Sequence, residues 1–259
     1  MNIISHRANG FGHPANSLSA FVSALKSPVK EIEIDVRLTK DNVFVVHHDP
    51  SFRKYFFHKF ISRKNFKEIQ FKFNTLKTYL DYFEGTDKIL HLDIKDHGCE
   101  KQLINELKTR NLIDRVSICS YTPKILEGIQ KYNSEIKTSL TFVPFVRFHK
   151  LALKRIMHHM KPLVYFNNLN LEDFQNKYSK GFSHVHFFSK IPDLNVDAFN
   201  IPHVFLNKNI LKEAKYKGQK INLFTINKQE TLQKYRGLEI NSIFSNNPLT
   251  FLVKDTNNA

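Results

Sequence analysis

Residues 31–36 read Glu-Ile-Glu-Ile-Asp-Val, so acidic and apolar side chains alternate along this stretch. Side chains two residues apart on a β-strand point to the same face. The apolar residues therefore lie on one face, and Glu33 and Asp35 share the other, which indicates a strand covered on both sides. Two buried carboxylates repel each other and are costly to desolvate, whereas Mg²⁺ and Ca²⁺ favour carboxylate oxygens. We predict a metal site here; the alternative is an exposed sheet edge with a Lys or Arg partner.

Short β-rich runs alternate with helical patterns along the chain, which is typical of a mostly parallel sheet. The candidate strands are Asn2–Ser5, Glu31–Val36, Val43–His47, Ile89–Ile94, Val116–Ser120, Lys137–Phe142, His184–Phe188, Ile221–Ile226 and Asn241–Ser245. Together with outer helices they fit a TIM-type (β/α)8 barrel, α/β in class and somewhat irregular, plus one hairpin strand. We expect a single domain over residues 1–259, with Arg147–Gln175 as an elaborated connection.

The extra strand is predicted to be Val43–His47. Only six residues separate Val36, the end of the preceding strand, from Val43, and six are too few for a helical crossover between parallel strands. They suit a β-hairpin that follows the second strand and turns at Asp41-Asn42. If the hairpin loop has two residues, Asp35 lies opposite His48.

The composition is that of a soluble globular protein, with 259 residues of which 41% are hydrophobic and 24% are charged. No apolar run approaches the ~20 residues needed to span a bilayer, and the N-terminus does not resemble a secretory signal. Cys99 and Cys119 do not make a disulfide framework. We therefore expect reduced thiols in a cytoplasmic protein without a transmembrane segment.

The net charge of +15 predicts attraction to phosphate-rich partners. The alternative is a Lys- and Asn-rich coding bias that merely keeps the protein soluble. No zinc-finger spacing, basic zipper or aromatic RNA-binding motif accompanies the charge, so nucleic acid is not expected as a partner. The basic and aromatic stretch from Arg53 to Phe73 could contact an anionic lipid headgroup or polymer. The alternative is that it holds apolar anchors for helices packing on the barrel, with its lysines in water.

Two histidine motifs follow predicted strands. His6-Arg7 comes directly after the first strand, at the end where barrel enzymes carry their active sites, and arginine offers a fork that matches phosphate oxygens. His47-His48 ends the hairpin strand. One histidine as base and one as acid is what phosphodiester cleavage requires, because histidine exchanges protons near neutral pH. A lone histidine at a strand end is more often structural.

The strand Ile89–Ile94 places Asp93, and then Lys95, on one face. Asp93 would add a third oxygen donor to Glu33 and Asp35 while leaving positions open for water and substrate. Lys95 could neutralise a phosphoryl oxygen, or form a structural ion pair with Asp93 or Glu33.

These residues, in this order, resemble the glycerophosphodiester phosphodiesterase family over nearly the whole chain. The family opens with His-Arg-Gly and Pro-Glu-Asn-Thr, which resemble His6-Arg7-Ala8 and Pro14-Ala15-Asn16-Ser17, and continues with Glu-x-Asp and Thr-Lys-Asp-Gly, which resemble Glu33-Ile34-Asp35 and Thr39-Lys40-Asp41-Asn42. Its Val-Val-His-His-Asp is present as Val45-Val46-His47-His48-Asp49, and its Glu-x-Lys resembles Asp93-Ile94-Lys95. Near the C-terminus, its Trp-Thr-Val-Asn and Thr-Asp-x-Pro resemble Phe224-Thr225-Ile226-Asn227 and Ser245-Asn246-Asn247-Pro248. The ordered series, rather than any one motif, carries the resemblance.

The resemblance implies a TIM-barrel phosphodiesterase that cleaves glycerophosphodiesters, small phosphodiester substrates, to an alcohol and glycerol 3-phosphate. It implies one divalent cation, Mg²⁺ or Ca²⁺. The residues it implies are His6 and His48 as the acid–base pair, Glu33, Asp35 and Asp93 as metal ligands, and Arg7 and Lys95 as phosphate-binding residues.

Three positions depart from the family pattern. Ala15 replaces a glutamate that in the family lies close to the metal site. Ala8 replaces a glycine and could move the loop after His6, and Asp93 is one methylene shorter than the usual glutamate. These departures predict an altered substrate or metal preference, or lost activity. Two rival functions stay open: the same chemistry on a phosphoglycan or lysophospholipid, and a catalytically weak barrel that binds anionic ligands.

Overall fold

A computed structural model describes residues 1–54, 57–141, 146–147, 186–187 and 194–252. The strands are β1 Asn2–Ser5, β2 Glu31–Leu38, β3 Phe44–Val46, β4 Ser51–Lys54, β5 Phe57–Phe60, β6 Ile89–Ile94, β7 Val116–Ser120, β8 Lys137–Thr141, β9 Val146–Arg147, β10 His186–Phe187, β11 Ala198–Pro202, β12 Lys220–Phe224 and β13 Ser242–Ser245. The α-helices are α1 Leu18–Lys26, α2 Phe66–Ile69, α3 Leu76–Phe83, α4 Glu100–Thr109, α5 Pro123–Tyr132, α6 Lys208–Tyr216 and α7 Gln229–Gln233. Apart from Arg147, the predicted connection Arg147–Gln175 lies outside the described residues.

Eight parallel strands close into a barrel. β1 pairs with both β2 and β13, and the order between them runs β2, β6, β7, β8, β11, β12, β13. Helices cover the outside, where Ile32 and Ile34 of β2 belong to one apolar core with Phe21 of α1 and Leu80 of α3. The predicted TIM-type α/β barrel is confirmed. Because strand side chains alternate, the carboxylates of β2 point to the other, inner face.

The burial of β2 decides between the two interpretations of its sequence. All eight residues of this strand are buried, with Glu33 only 2% and Asp35 only 1% exposed. The alternative of an exposed sheet edge is therefore wrong, and the two carboxylates need partners within the protein or a bound ion.

The sixth barrel strand along the chain is β11, not the predicted His184–Phe188. The part of that segment that the structure describes, β10, pairs antiparallel with β9 in a separate two-stranded sheet. Asn200 interrupts the apolar pattern of β11 and is poorly suited to an isolated strand. Inside the barrel it is satisfied, because its amide donates to the hydroxyls of Ser139 and Thr141.

The hairpin formed by β2 and β3 is present as predicted, but its register differs by one residue. Val36 faces Val46, and the loop has three residues rather than two. Thr39 N–H donates to the Val43 carbonyl at 3.0 Å, and Asn42 is left-handed with φ 62°. A left-handed last residue is typical of three-residue hairpin loops.

This register changes which histidine faces the metal-site strand. The N–H of His47 donates to the Asp35 carbonyl at 3.0 Å, so the prediction that Asp35 lies opposite His48 is wrong. His48 instead lies one residue beyond the paired positions.

The helices begin at residues whose side chains cap them. The oxygens of Ser17, Thr75 and Asn207 accept hydrogen bonds from the first-turn N–H groups of α1, α3 and α6. Such caps satisfy donors that have no partner within the helix. None of the helices that the structure describes is both long and apolar enough to cross a membrane.

Between β3 and α3 the chain leaves the barrel for an excursion, residues 51–73, which contains β4, β5 and α2. The excursion has its own apolar cluster, in which Phe52 and Phe73 are buried. Those two aromatic residues therefore act as packing anchors. Phe60 and Phe71 do not, since both are exposed.

Candidate active site

Three carboxylates meet near the C-terminal ends of β2 and β6. Asp35 faces Asp93 in the register between these strands, and Glu33 lies two residues before Asp35 on the same face. One oxygen from each residue lies within 4.8 Å of the others. The fold thus brings the predicted trio together, at a separation that one hard cation could bridge.

Lys95 lies between two of these carboxylates. Its Nζ is 2.7 Å from Asp35 Oδ1 and 2.6 Å from Asp93 Oδ2. Burial alone would lower the pKa of Lys95, but the two carboxylates outweigh burial and raise that pKa, so the side chain stays a cation. The ion pair with Asp93 that the sequence left open is therefore present, and its second carboxylate is Asp35 rather than Glu33.

Arg7 is the second cation at the site. Its Nε lies 3.3 Å from Asp35 Oδ2, but Nε makes no hydrogen bond to any described residue, so the contact is an ion pair without a directed N–H. The backbone N–H of Arg7 donates to Glu33 Oε2 at 2.8 Å. The left-handed backbone of Arg7, with φ 57°, accompanies this contact.

The site contains one more carboxylate than it has cationic side chains. Burial would raise the pKa of Asp35, but Lys95 and Arg7 hold it below its usual range. Burial, and then the charges of Asp35 and Asp93, raise the pKa of Glu33 well above its usual value. Three carboxylates thus face two cations, and the buried Oδ1 of Asp93 has no hydrogen-bond partner among the described residues. An unsatisfied carboxylate oxygen is an open donor for a metal ion.

His6 follows β1, and Asn246 follows the neighbouring strand β13 in register. Their side chains meet, with His6 Nδ1 2.8 Å from Asn246 Oδ1. Since an amide oxygen only accepts, this pairing places the ring proton on Nδ1 and leaves Nε2 as the acceptor, 3.9 Å from Glu33 Oε2. Burial, followed by the charge of Arg7, lowers the pKa of His6 to about 3. His6 is therefore a neutral imidazole near neutral pH.

His48 differs from His6 in that its Nδ1 contacts a carboxylate rather than an amide oxygen. Its Nδ1 lies 2.7 Å from the Asp49 carboxylate. The His48 carbonyl accepts from Arg37 Nε at 3.0 Å, and Arg37 is held in turn by Asp96 at 3.0 Å. Burial lowers the pKa of His48, although the charge of Asp35 opposes that shift. The hydrogen bond to the Asp49 carboxylate opposes this lowering and stabilises the protonated ring, which is the form that an acid needs.

Asn16 holds the site together, a role that sequence reasoning missed. Its Nδ2 donates to Asp35 Oδ2 at 2.7 Å, and the Asp35 N–H donates to Asn16 Oδ1 at 3.1 Å. The Asn16 N–H donates to the Arg7 carbonyl at 2.7 Å, and the Asn16 carbonyl accepts from the Tyr79 hydroxyl at 2.7 Å. The only sequence signal was the position of Asn16 in the motif Pro14-Ala15-Asn16. Asn246 was likewise present in a motif without an assigned role.

All three departures from the family pattern can be located. Ala15 is exposed, directly before the buried Asn16. Ala8 is fully buried and left-handed, with φ 51°, so it occupies a backbone conformation that glycine adopts without strain. The shorter Asp93 still reaches both Lys95 and the other two carboxylates.

Comparison with known proteins gives a consistent result. Residues 6–250 match the glycerophosphoryl diester phosphodiesterase family. A glycerophosphodiester phosphodiesterase of Caldanaerobacter subterraneus subsp. tengcongensis is 27% identical over 186 residues, covering 64% of this chain and 76% of that protein.

Two solved structures share the fold. A glycerophosphodiester phosphodiesterase from Parabacteroides distasonis has a TM-score of 0.69 at 17% identity, covering 96% of this chain and 93% of that chain. An Oleispira antarctica phosphodiesterase, solved in complex with the product sn-glycerol-3-phosphate, has a TM-score of 0.65 at 19% identity, covering 97% of this chain and 95% of that chain.

Proposed function

This chain belongs to the glycerophosphoryl diester phosphodiesterase family and is a phosphoric diester hydrolase, and on that premise we propose that it cleaves glycerophosphodiesters to an alcohol and glycerol 3-phosphate. The observation that carries the proposal is the convergence of three carboxylates, two cations and two histidines at one end of the barrel. The product bound to the Oleispira antarctica phosphodiesterase is consistent with this substrate class.

The acidic trio fits a divalent cation. Glu33, Asp35 and Asp93 would hold Mg²⁺ or Ca²⁺, because their oxygens lie within 4.8 Å of one another and Asp93 Oδ1 has no partner among the described residues. A bound divalent cation supplies Lewis-acid polarisation of the phosphoryl group.

The chain's own cations bind the phosphate in this proposal. Arg7 keeps 18% of its side chain exposed, and its guanidinium fork matches two phosphoryl oxygens. Lys95, fixed by Asp35 and Asp93, adds a second positive charge to the site. Together they favour the additional negative charge that develops on phosphorus-bound oxygens during cleavage.

The two histidines move the protons. His6 Nε2 takes the proton of the glycerol hydroxyl next to the ester, because Asn246 keeps the ring proton on Nδ1. The alkoxide attacks phosphorus, the P–O bond to the leaving alcohol breaks, and protonated His48, stabilised by Asp49, supplies the proton to that alcohol. Water then opens the cyclic phosphate with the two roles exchanged. A positioned acid or base contributes ~10²–10⁴-fold to such a step.

A panel of soluble glycerophosphodiesters tests the proposal, assayed with Mg²⁺, Ca²⁺ or Mn²⁺ and with chelator. We expect release of glycerol 3-phosphate that chelator abolishes and that falls by ~10²-fold or more in His6→Ala and in His48→Ala. His97→Ala, at an exposed histidine, is the matched control. Activity that survives chelation or both substitutions overturns the mechanism. Inactivity on the whole panel, with retained binding of glycerol 3-phosphate, supports the rival barrel that only binds anionic ligands.

A further inference from the structure

The excursion, residues 51–73, concentrates the positive charge of the protein. Its sequence contains seven lysines or arginines against a single acid, Glu68, so it carries +6 of the chain's +15. Glu68 is already paired with Lys64, 2.6 Å away. A coding bias would spread lysines along the chain, whereas this stretch gathers them beside one end of the barrel.

Two hydrogen bonds and an apolar cluster hold the excursion against the hairpin formed by β2 and β3. The N–H of Lys40 donates to the Lys64 carbonyl at 2.8 Å, and the N–H of Phe66 donates to Asp41 Oδ1 at 2.9 Å. Its apolar cluster includes Val45 of β3. The exposed side chains of the excursion are therefore presented by a packed unit.

One face of the ribbon formed by β4 and β5 is basic and aromatic. In its register Arg53 faces His58 and Ser51 faces Phe60, so these four side chains share a face. The opposite face contains the buried Phe52. Phe60 is 45% exposed, and the Arg63 guanidinium lies 5.0 Å from its ring centre.

The segment after α2 is also both basic and aromatic. Phe71 is 64% exposed, and exposed lysines, Lys67 and Lys72, lie near it in the sequence. Among the phenylalanines whose side chains the structure describes, only Phe60 and Phe71 are exposed. We name Arg53, Phe60, Arg63, Lys67, Phe71 and Lys72 the basic-aromatic surface.

The excursion that carries this surface adjoins the segment that carries His48. The ring of Phe73 lies 4.9 Å from that of His47, the neighbour of His48, and the N–H of Ile61 donates to the Pro50 carbonyl at 3.0 Å. A partner bound to the excursion is therefore held next to the site.

We propose that the basic-aromatic surface docks the protein on an anionic lipid bilayer and that the substrate is a glycerophosphodiester-bearing lipid, such as a lysophospholipid, presented by that bilayer. Cationic side chains attract anionic headgroups, and exposed aromatic rings enter the headgroup boundary. A soluble polyanion would use the charges but leave the phenylalanines without a role. The lipid substrate rests on the proposed phosphodiesterase function; the docking does not.

Co-sedimentation of the full chain with vesicles tests the docking, using phosphatidylcholine alone and phosphatidylcholine mixed with phosphatidylglycerol. We expect binding to the mixed vesicles only, weakened by salt and reduced about tenfold or more in Arg53→Gln/Arg63→Gln. Lys124→Gln/Lys131→Gln, on the exposed face of α5, removes the same charge elsewhere and should bind like the wild type.

A second pair of variants separates a bilayer from a polyanion. Phe60→Ala/Phe71→Ala should bind mixed vesicles several-fold more weakly, whereas Tyr132→Ala/Tyr216→Ala, at exposed rings elsewhere, should not. Absence of charge-dependent vesicle binding overturns the proposal. So does tight binding of soluble polyphosphate that depends on the arginines while vesicle binding ignores both phenylalanines.

Activity assays keep this proposal distinct from the proposed function. All four double variants should hydrolyse a soluble glycerophosphodiester as the wild type does, and only the arginine and phenylalanine pairs should lose activity on lysophospholipid in mixed vesicles. Soluble turnover without vesicle binding rejects the docking alone. Vesicle binding by a protein inactive on every diester rejects the catalytic proposal and with it the lipid substrate.

Discussion

Asn16 and Asp35 hold each other through two hydrogen bonds, 2.7 Å from Asn16 Nδ2 to Asp35 Oδ2 and 3.1 Å from the Asp35 N–H to Asn16 Oδ1. The residues are 19 positions apart and join the loop after β1 to the metal-site strand. This pair of hydrogen bonds occupies Asp35 Oδ2 and leaves Oδ1 to Lys95, 2.7 Å away.

Asn16→Gly should weaken both folding and catalysis. Glycine accepts the left-handed φ of 61° at this position, so the change removes the amide without adding backbone strain. Losing hydrogen bonds to a charged carboxylate should lower the free energy of unfolding by ~1.5–3 kcal/mol, and kcat/KM should fall with it. Denaturant unfolding and steady-state kinetics measure both. Asn111→Gly, at an exposed asparagine with φ 53°, is the control and should be nearly neutral.

Lys95→Met should destabilise the fold when no divalent cation is bound, because it removes one of the two cations that face the three carboxylates. Without its ammonium group, Asp35 and Asp93 lose a shared partner, and breaking a buried ion pair costs ~3–5 kcal/mol. Thermal unfolding in chelator should show this loss, and Mg²⁺ or Ca²⁺ should restore more stability to the variant than to the wild type. Lys30→Met removes an exposed pair with Asp87 and should cost ~1 kcal/mol or less. Equal stability of Lys95→Met and wild type in chelator would contradict this account.

Asn246→Ala should lower kcat while leaving KM nearly unchanged. The substitution removes the acceptor that keeps the ring proton of His6 on Nδ1, so a smaller fraction of rings presents Nε2 as a base. We expect a fall of ~10-fold or more, part of the ~10²–10⁴ that a positioned base supplies. The exposed neighbour variant Asn247→Ala is the control. A change confined to KM would show that Asn246 acts on binding instead.

His47→Phe should reduce the acid sensitivity of the fold. Burial lowers the pKa of His47 below its usual 6.5, so its contribution to stability is present above ~6.5 and is lost as pH falls towards the folded-state pKa. Phenylalanine keeps a ring against Phe73 and takes up no proton. Free energies of unfolding measured from about pH 8 to about pH 5 should fall less steeply in the variant. Identical slopes would rule out a contribution from His47.

Ala8→Gly should be tolerated although Ala8 is fully buried. A left-handed alanine is strained by ~1–2 kcal/mol, and this gain opposes the ~0.8 kcal/mol lost with one buried methyl group. The net change in unfolding free energy should stay within ~1 kcal/mol. Ala24→Gly is the control, since Ala24 is equally buried inside α1. There the helix penalty and the lost methyl group add, and the cost should reach ~1.5–2 kcal/mol.

The sequence by itself determined the barrel class and predicted which residues form the candidate site, whose individual roles stay predictions. Alternation along β2 shows which side chains share a face, and a strand end after Ser5 places His6-Arg7 at the functional end of a barrel. These inferences need only the local period of a strand and the order of motifs along the chain. The single-domain organisation over residues 1–259 and the cytoplasmic location stay predictions.

Tertiary structure alone decided the contacts between distant residues. Local sequence could not place Lys95 between Asp35 and Asp93, nor join Asn16 to Asp35, because both depend on which strands become neighbours in the closed barrel. Strand β11 escaped prediction for the same reason, since Asn200 is stable in a strand only when neighbouring strands supply hydroxyl partners. The hairpin register depended on the left-handed Asn42, and side-chain contacts rather than sequence pattern decided that Phe52 is buried while Phe60 is exposed.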